Sequence, residues 1–235
     1  MENMKFIFDV DGTLTPSRRQ IEPDFLTFFL DFVDNHEVYL VTGSNREKTI
    51  EQIGMELYHK VKRVYNCAGN DTYEGLHNVY KNPWTIPDDA LQFLQDELDY
   101  SQYSVRTGKH IELRPGCVNF SIVGRNANWD ERDAYKEYDK RVNERIDIAS
   151  RFNDRFPELH CFVGGETGVD ISSTGSDKSQ ILRDFKEGDN IQFFGDRMDE
   201  NGNDYPLAEA IRDRGWGRNY DVEDYVHCWK LLRQF

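Results

Sequence analysis

The sequence contains no long hydrophobic run. Its apolar stretches are far shorter than the ~18 residues of a membrane-spanning helix, and the first of them, Phe6 to Phe8, ends at Asp9. No secretion signal is visible in the opening residues either. We therefore expect a cytoplasmic protein that has no membrane partner.

Cysteine is scarce and irregularly spaced. The four cysteines form no C-x-x-C pair, which suits neither a zinc site nor a small disulfide framework. We expect reduced, buried thiols in a cytosolic protein. The four residues are Cys67, Cys117, Cys161 and Cys228.

Positive charge is also in short supply. The chain has 29 Lys and Arg residues against 43 Asp and Glu residues, a net charge of -14. Such a chain repels the phosphates of nucleic acid, so we expect no nucleic acid partner. A few local cations could still hold a small anionic ligand. Aromatic residues, at 13% of the chain, are plentiful enough for a folded core.

Short apolar runs that end in a polar residue and a glycine predict buried strands. Three such runs are Lys5 to Val10, Val38 to Val41 and Ile191 to Phe194. Helical patterns follow the first two, at Pro23 to Val33 and after a capping box at Ser44 to Glu47. Strands that alternate with helices predict a parallel α/β sheet, which binds ligands beyond the carboxyl ends of its strands.

The middle of the chain has a different pattern. Alternating stretches in Lys109 to Arg125, on either side of Pro115-Gly116, predict a β-hairpin. A charged helix is expected from about Asn128 to Phe152, and another strand pair around Gly164-Gly165. Paired strands with helices predict an α+β insert at residues 82–176. The parallel domain is then formed by residues 1–81 and 177–235.

The strongest chemical signal is the motif Asp9-Val-Asp11-Gly-Thr13 at the end of the first predicted strand. Alternate residues of a strand point to the same side, so both carboxylates could share a Mg²⁺ and face one phosphoryl group. One carboxylate could attack phosphorus, and the other could move the proton of the leaving or accepting oxygen. The alternative is an ordinary Asp-Gly turn after a strand.

Further polar residues are expected at the same sheet edge. Lys178, which begins a helical pattern, could neutralise a phosphate and its nucleophile together, although a lone lysine is usually solvated. We expect Asp196 to be a Mg²⁺ ligand, and Asp204 to lie in or just outside the coordination sphere. Thr42 and Ser44 could donate hydrogen bonds to phosphoryl oxygens, although Ser44 is also a good helix N-cap.

Taken in chain order, these motifs resemble the haloacid dehalogenase-like phosphotransferase superfamily, and the insert resembles the cap of its subclass IIB. The stretch from Ile111 to Arg125, continued by Asp130 to Arg132, most resembles the eukaryotic-type phosphomannomutase family. The resemblance implies a Rossmann-like, parallel-sheet α/β core with an inserted α+β cap of type IIB. It also implies a homodimer formed through the cap.

The resemblance assigns roles to individual residues. Asp9 matches the nucleophile and Asp11 the general acid/base. The Mg²⁺ site matches the Asp9 side chain, the Asp11 backbone carbonyl and Asp196. Arg114 and Arg125 are expected on paired strands and Arg132 on the next helix, so the three could converge on a phosphate. The residues matched to substrate binding are Arg18, Arg114, Arg125, Arg132 and, for the sugar, Asp170.

Three activities are compatible with these motifs. The favoured one is a Mg²⁺-dependent hexose-phosphate mutase, converting mannose 6-phosphate to mannose 1-phosphate with a hexose bisphosphate as activator, since the cap arginines could bind a second phosphate. The alternatives are a sugar-phosphate phosphatase and a non-catalytic sugar-phosphate-binding protein. The sequence departs from the family pattern in three places: Gly168 replaces a substrate-binding Ser, Ala210 replaces an acidic residue at a second cation site, and the segment after Gly69 is less similar.

Overall fold

The computed structural model describes residues 4–200 and 202–235. The chain divides into two compact units. The first, which we call the core unit, contains the residues up to Lys81 and from Ser176 onward. The second, the insert unit, runs from Asn82 to Gly175.

The described residues form the following strands and helices. The strands are β1 (Met4–Phe8), β2 (Glu37–Val41), β3 (Arg63–Asn66), β4 (Asp71–Glu74), β5 (His77–Lys81), β6 (Ile111–Arg114), β7 (Cys117–Phe120), β8 (Leu159–Gly164), β9 (Gly168–Ser173), β10 (Asn190–Gly195) and β11 (Gly217–Asp221). The α-helices are α1 (Pro23–Asn35), α2 (Arg46–Lys60), α3 (Asp88–Tyr100), α4 (Trp129–Val142), α5 (Glu144–Arg155), α6 (Tyr205–Arg214) and α7 (Tyr225–Leu232). Two 3₁₀ helices lie at Cys67–Gly69 and Lys178–Asp184.

The core unit contains a seven-stranded sheet in the order β11-β10-β1-β2-β3-β4-β5. The first five strands of this order are parallel, whereas β4 and β5 add an antiparallel hairpin at the edge. Strand β1, which lies between β10 and β2, is apolar on both faces, with Phe6, Ile7 and Phe8 fully buried, as expected for a strand covered on both sides. The predicted parallel α/β sheet is confirmed.

Helices α1 and α2 of the core unit lie where the sequence predicts them, with one correction. Helix α1 begins at Pro23 and buries Phe25, Phe29 and Phe32 on a single face. The prediction that Ser44 caps α2 is wrong, because the cap is Asn45, whose side chain accepts from the backbone N–H of Lys48 at 3.0 Å. Ser44 is instead engaged with side chains at the carboxyl edge of the sheet.

The insert unit contains a four-stranded antiparallel sheet in the order β6-β7-β9-β8. Its helices pack on an apolar cluster that includes Val118, Phe120 and Ile171. The single helix expected from Asn128 to Phe152 is two helices, because Asn143 adopts a left-handed conformation with φ of 58° and ends α4. Among the described residues, no helix combines the length and hydrophobicity needed to cross a bilayer.

Candidate active site

Three carboxylates meet at the carboxyl edge of the core sheet. Asp9 follows β1, Asp196 follows β10, and Asp204 immediately precedes α6. Each offers one oxygen, and these oxygens lie within 4.8 Å of one another. Asp9 and Asp204 are buried and Asp196 is half-buried. The ends of two neighbouring strands and the residue before α6 therefore form a compact acidic cluster.

Two glycines make room for these carboxylates. Gly12 has a φ of 84°, and a Cβ at that position would lie 2.3 Å from an oxygen of Asp196. A Cβ on Gly195 would lie 2.6 Å from a carboxylate oxygen of Asp204. Glycine is thus required at both positions for steric reasons, and at Gly12 also for its backbone conformation.

Lys178 is the cation of this cluster. Its side chain is 1% exposed, and its Nζ donates to Oδ1 of Asp9 at 2.5 Å and to Oδ1 of Asp204 at 2.7 Å. The other oxygen of Asp204 accepts from the backbone N–H of Arg197 at 3.1 Å. Lys178 is therefore a buried partner of two carboxylates, and the solvated-lysine alternative is wrong.

Burial and mutual repulsion shift the pKa values of the acids in this cluster. Burial raises the pKa of Asp9 well above its usual value, and burial with the nearby charge of Asp204 raises the pKa of Asp196 to about 6. Burial disfavours the charged form of Lys178, but Asp204 and Asp9 outweigh it and raise its pKa. When all four groups are ionised their net charge is -2. A divalent cation fits this charge, and an all-oxygen ligand set is the kind that Mg²⁺ prefers.

Asp11 makes a different set of contacts. Because β1 ends at Phe8, both Asp9 and Asp11 lie beyond the strand, and strand alternation does not relate their side chains. Oδ1 of Asp11 accepts from the backbone N–H of Arg18 at 2.7 Å and from Nε2 of Gln52 at 2.8 Å. Oδ2 accepts from the Ser44 hydroxyl at 3.4 Å. Three donors therefore fix this carboxylate beside the cluster.

Gln52 is a functional candidate that the sequence did not reveal. It lies on α2, is 1% exposed, and was indistinguishable from an ordinary polar helix residue. A buried glutamine directed at an acidic side chain can be found only from the fold.

Thr42 and Ser44 form a loop that is tied to the segment after β3. The backbone N–H of Ser44 donates to the Thr42 hydroxyl at 3.0 Å. The N–H groups of Cys67 and Ala68 donate to the carbonyls of Ser44 and Thr42 at 2.9 and 2.8 Å. Cys67 and Ala68 have φ values of 49° and 56°, an unfavourable conformation for residues other than glycine. The sequence carried no signal of this strained support.

The insert unit contains a second group of the expected residues. Arg114 lies on β6 and Arg132 on α4, but the prediction that Arg125 lies on a strand is wrong, because β7 ends at Phe120. Arg114 and Arg125 both contact one carboxylate oxygen of Glu112, at 2.5 and 2.9 Å. Arg132 is buried and donates to the carbonyl of Arg125 at 2.7 Å, among other contacts. It thereby supports the loop that carries Arg125.

Asp170 and Gly168 lie on β9 of the same unit. Oδ1 of Asp170 accepts from Nδ2 of Asn119 at 2.7 Å. A Cβ on Gly168 would lie 2.9 Å from the carbonyl oxygen of Phe120, so a serine here would force the strands apart. Ala210 lies on α6 and packs against the apolar core.

Comparison with solved structures places the fold in a known class. The chain matches the crystal structure of a haloacid dehalogenase-like hydrolase from Bacteroides thetaiotaomicron with a TM-score of 0.64. The match covers 98% of each chain at 13% sequence identity. The core sheet and the inserted unit therefore form a haloacid dehalogenase-like fold, as the sequence predicted.

Comparison of sequences identifies the family. Residues 25–230 match the model of the eukaryotic phosphomannomutase family. A phosphomannomutase of Triticum aestivum is 33% identical over 217 residues, which cover 89% of this chain and 87% of that protein. A phosphomannomutase of Arabidopsis thaliana is 30% identical over 240 residues, covering 96% and 95%. The chain belongs to the eukaryotic phosphomannomutase family and is an enzyme of that family.

Proposed function

We propose that this enzyme interconverts hexose 6-phosphates and hexose 1-phosphates by phosphoryl transfer through Asp9, with mannose 6-phosphate and mannose 1-phosphate as the favoured pair. The observation that carries the proposal is the buried Asp9 carboxylate bonded to Lys178 at 2.5 Å. The ammonium group offsets the charge of the carboxylate, so that an anionic phosphate can approach it. Membership of the phosphomannomutase family supports the choice of substrate.

The transfer has two halves. In the first, an Asp9 oxygen forms a bond to phosphorus while the bond from phosphorus to the donor oxygen breaks, and Asp11 gives a proton to that oxygen. In the second, Asp11 takes a proton from the accepting sugar hydroxyl, which receives the phosphoryl group from Asp9. The contacts from Arg18, Gln52 and Ser44 hold Asp11 in place for both proton transfers.

The acidic cluster would hold Mg²⁺ through the side chains of Asp9 and Asp196, with Asp204 in or just outside the coordination sphere. The backbone carbonyl of Asp11 is a further ligand by family resemblance. The ion would supply positive charge that offsets the phosphate and the carboxylates together. Thr42 and Ser44 would donate hydrogen bonds to phosphoryl oxygens.

We assign the core unit to catalysis and the insert unit, as the type IIB cap, to the phosphate that is not reacting. Arg114 and Arg125 would bind that phosphate, and Asp170 would accept from a sugar hydroxyl. Arg132 of the insert unit and Arg18 of the core unit are proposed as substrate-binding residues from the family resemblance. A homodimer through the cap is proposed from the family resemblance alone, and the cytoplasmic location stays a prediction from the sequence.

The test is an assay of mannose 6-phosphate with Mg²⁺, with and without a hexose 1,6-bisphosphate, in which both mannose 1-phosphate and free phosphate are measured. A mutase should form mannose 1-phosphate, and the bisphosphate should accelerate the reaction because it loads Asp9 with a phosphoryl group. If free phosphate is the main product and no isomer forms even with the bisphosphate, the protein is a sugar-phosphate phosphatase.

A further inference from the structure

Glu112 lies between the two arginines of the insert sheet. Its Oε2 accepts from Nη2 of Arg114 at 2.5 Å and lies 2.9 Å from Nε of Arg125. The Glu112 side chain is 20% exposed, and those of Arg114 and Arg125 are 9% and 28% exposed. A single carboxylate oxygen therefore joins two guanidinium groups that would otherwise repel each other.

Glu112 and Asp170 offset the charges of Arg114 and Arg125 on this face of the sheet. The pairing of β6, β7 and β9 places Glu112, Asn119 and Asp170 side by side in one row. Burial alone would raise the pKa of Glu112, but the effect of Arg114 and Arg125 is larger, and the net result is a lowered pKa. The carboxylate is therefore ionised at neutral pH. The charge of Asp170 also acts on Arg114. Among these four side chains two positive charges thus accompany two negative ones, and Lys109 adds a further positive charge that acts on Glu112.

This arrangement of charges has a consequence for a mutase. The phosphate that is not reacting must be recognised, yet the bisphosphate intermediate must also leave the arginines before it can turn round. Two arginines without a neighbouring carboxylate would bind this phosphate strongly through charge-assisted hydrogen bonds. Binding that stabilises the intermediate more than the following transition state lowers turnover.

We infer that Glu112 is a positioning residue that moderates the affinity of Arg114 and Arg125 for phosphate. It holds both guanidinium groups at one point and offsets one of their charges, so that the bisphosphate intermediate is released quickly enough to reorient. The inference rests on the proposed function, because only a mutase must release and rebind the same intermediate.

A purely structural role for Glu112 predicts the opposite result. If the carboxylate did no more than hold the arginines in place, its loss would let them move, and phosphate binding would weaken. The direction of the change in affinity therefore separates the two roles.

The variant Glu112→Gln tests the inference, since it keeps the shape and one acceptor but removes the charge. We expect its affinity for a hexose 1,6-bisphosphate to rise about tenfold, the effect of one unit charge at roughly 6 Å in a partly exposed site. The isomerisation kcat should fall by a similar factor while kcat/KM changes little. Glu112→Asp, which keeps the charge, should lie closer to the wild type.

Affinity is measured by calorimetry in an Asp9→Asn background, where no turnover occurs. Glu137→Gln is the matched control, because Glu137 lies on α4 of the same unit with a side chain 72% exposed, and it should leave affinity and kcat unchanged. If Glu112→Gln does not fold by circular dichroism, Glu112→Ser removes the same charge.

Unchanged or weaker bisphosphate binding by the charge-removing variant overturns the inference. So does an equal gain in Glu137→Gln, since net charge alone would then explain it. A wild type that releases free phosphate and forms no isomer refutes the proposed function instead. The calorimetric comparison would still report whether Glu112 weakens phosphate binding.

Discussion

At the scale of single residues, the site depends on one lysine that serves two acids. Lys178 contacts both Asp9 and Asp204, while Asp196 shares the same small volume. Replacing Asp9 by Asn removes one negative charge from a crowded acidic cluster and leaves Lys178 paired with Asp204. Such a change should therefore remove the nucleophile without harming the fold.

The two carboxylates of the Asp9-Val-Asp11 motif should respond differently to the leaving group of the substrate. Asp9→Asn should lose more than ~99% of turnover on every phosphate ester, because an amide cannot attack phosphorus. Asp11→Asn should slow hexose-phosphate turnover about 10²- to 10⁴-fold. It should slow release of a nitrophenolate from its phosphate ester far less, because that leaving group needs no proton.

Initial rates on mannose 6-phosphate and on a nitrophenyl phosphate check this difference, and circular dichroism checks the fold. Asp31→Asn, an exposed change on α1, is the control. Equal losses on both esters in Asp11→Asn would contradict its role as the proton donor. Substantial turnover in Asp9→Asn would contradict its role as the nucleophile.

At the scale of elements, the chain breaks its helix between α4 and α5 at a single residue. The hydrophobic periodicity of the sequence does not reveal this break. Asn143 has φ of 58° and ψ of 31°, and its N–H closes the end of α4 on the carbonyl of Asp139 at 2.7 Å. Asp139 in turn accepts from the backbone N–H and the guanidinium of Arg145 at the start of α5. The chain therefore turns at one left-handed residue.

The stability of Asn143 variants should depend on how readily the new residue adopts the left-handed backbone conformation. Asn143→Ala should destabilise the insert unit by about 1 kcal/mol, because alanine adopts the left-handed region less readily than asparagine. Asn143→Gly should stay within a few tenths of a kcal/mol of the wild type, or be slightly more stable. Urea unfolding followed by circular dichroism measures both. Equal stabilities of the Ala and Gly variants would show that the backbone conformation carries no such cost.

The sequence predicted those elements whose signals are local. Apolar runs ended by glycine located β1, β2 and β10, and the Asp9 motif located the carboxyl edge of the sheet. The N-cap of α2 is Asn45 and not Ser44, because Ser44 forms hydrogen bonds with Asp11 and Thr42 instead. Asp11 lies in another part of the chain, so the sequence pattern around Ser44 does not show this contact. The contacts of Gln52 and Glu112 were likewise invisible, since each depends on partners that only the fold brings near.

At the scale of the whole molecule, the net charge of -14 and the acidic cluster both bring negative charges close together, where they repel one another and repel phosphate. A chain with excess negative charge binds phosphate only where its cations are concentrated. Placing two buried carboxylates and a half-buried one near one lysine has a cost in stability. In a metal-free protein, that cost depends on whether the carboxylates carry protons.

The raised pKa of Asp196 shows in which direction the stability of the metal-free protein changes with pH. Its pKa is raised to about 6 in the folded protein by burial and by the charge of Asp204, so the folded state holds this proton more tightly than the unfolded state does. Between about pH 4 and pH 6 the metal-free protein should therefore lose stability as the carboxyl ionises. Above pH 6 a divalent cation can replace the lost proton without competing with it.

Mg²⁺ should consequently stabilise the protein more at pH 7.5 than at pH 5. At a saturating concentration we expect the rise in Tm to be about 3–5 °C larger at the higher pH. A ligand stabilises the state that binds it by RT ln(1 + [L]/Kd), and protons compete with Mg²⁺ at pH 5 and raise its Kd there. Differential scanning fluorimetry with EDTA or Mg²⁺, at matched ionic strength, measures both shifts. Asp196→Asn should reduce the pH difference, since it removes both a ligand and one of the two acids whose pKa is raised, the other being Asp9. Equal shifts at the two pH values in the wild type would mean that Asp196 does not link proton and metal binding, and no shift at pH 7.5 would remove the cluster as the Mg²⁺ site.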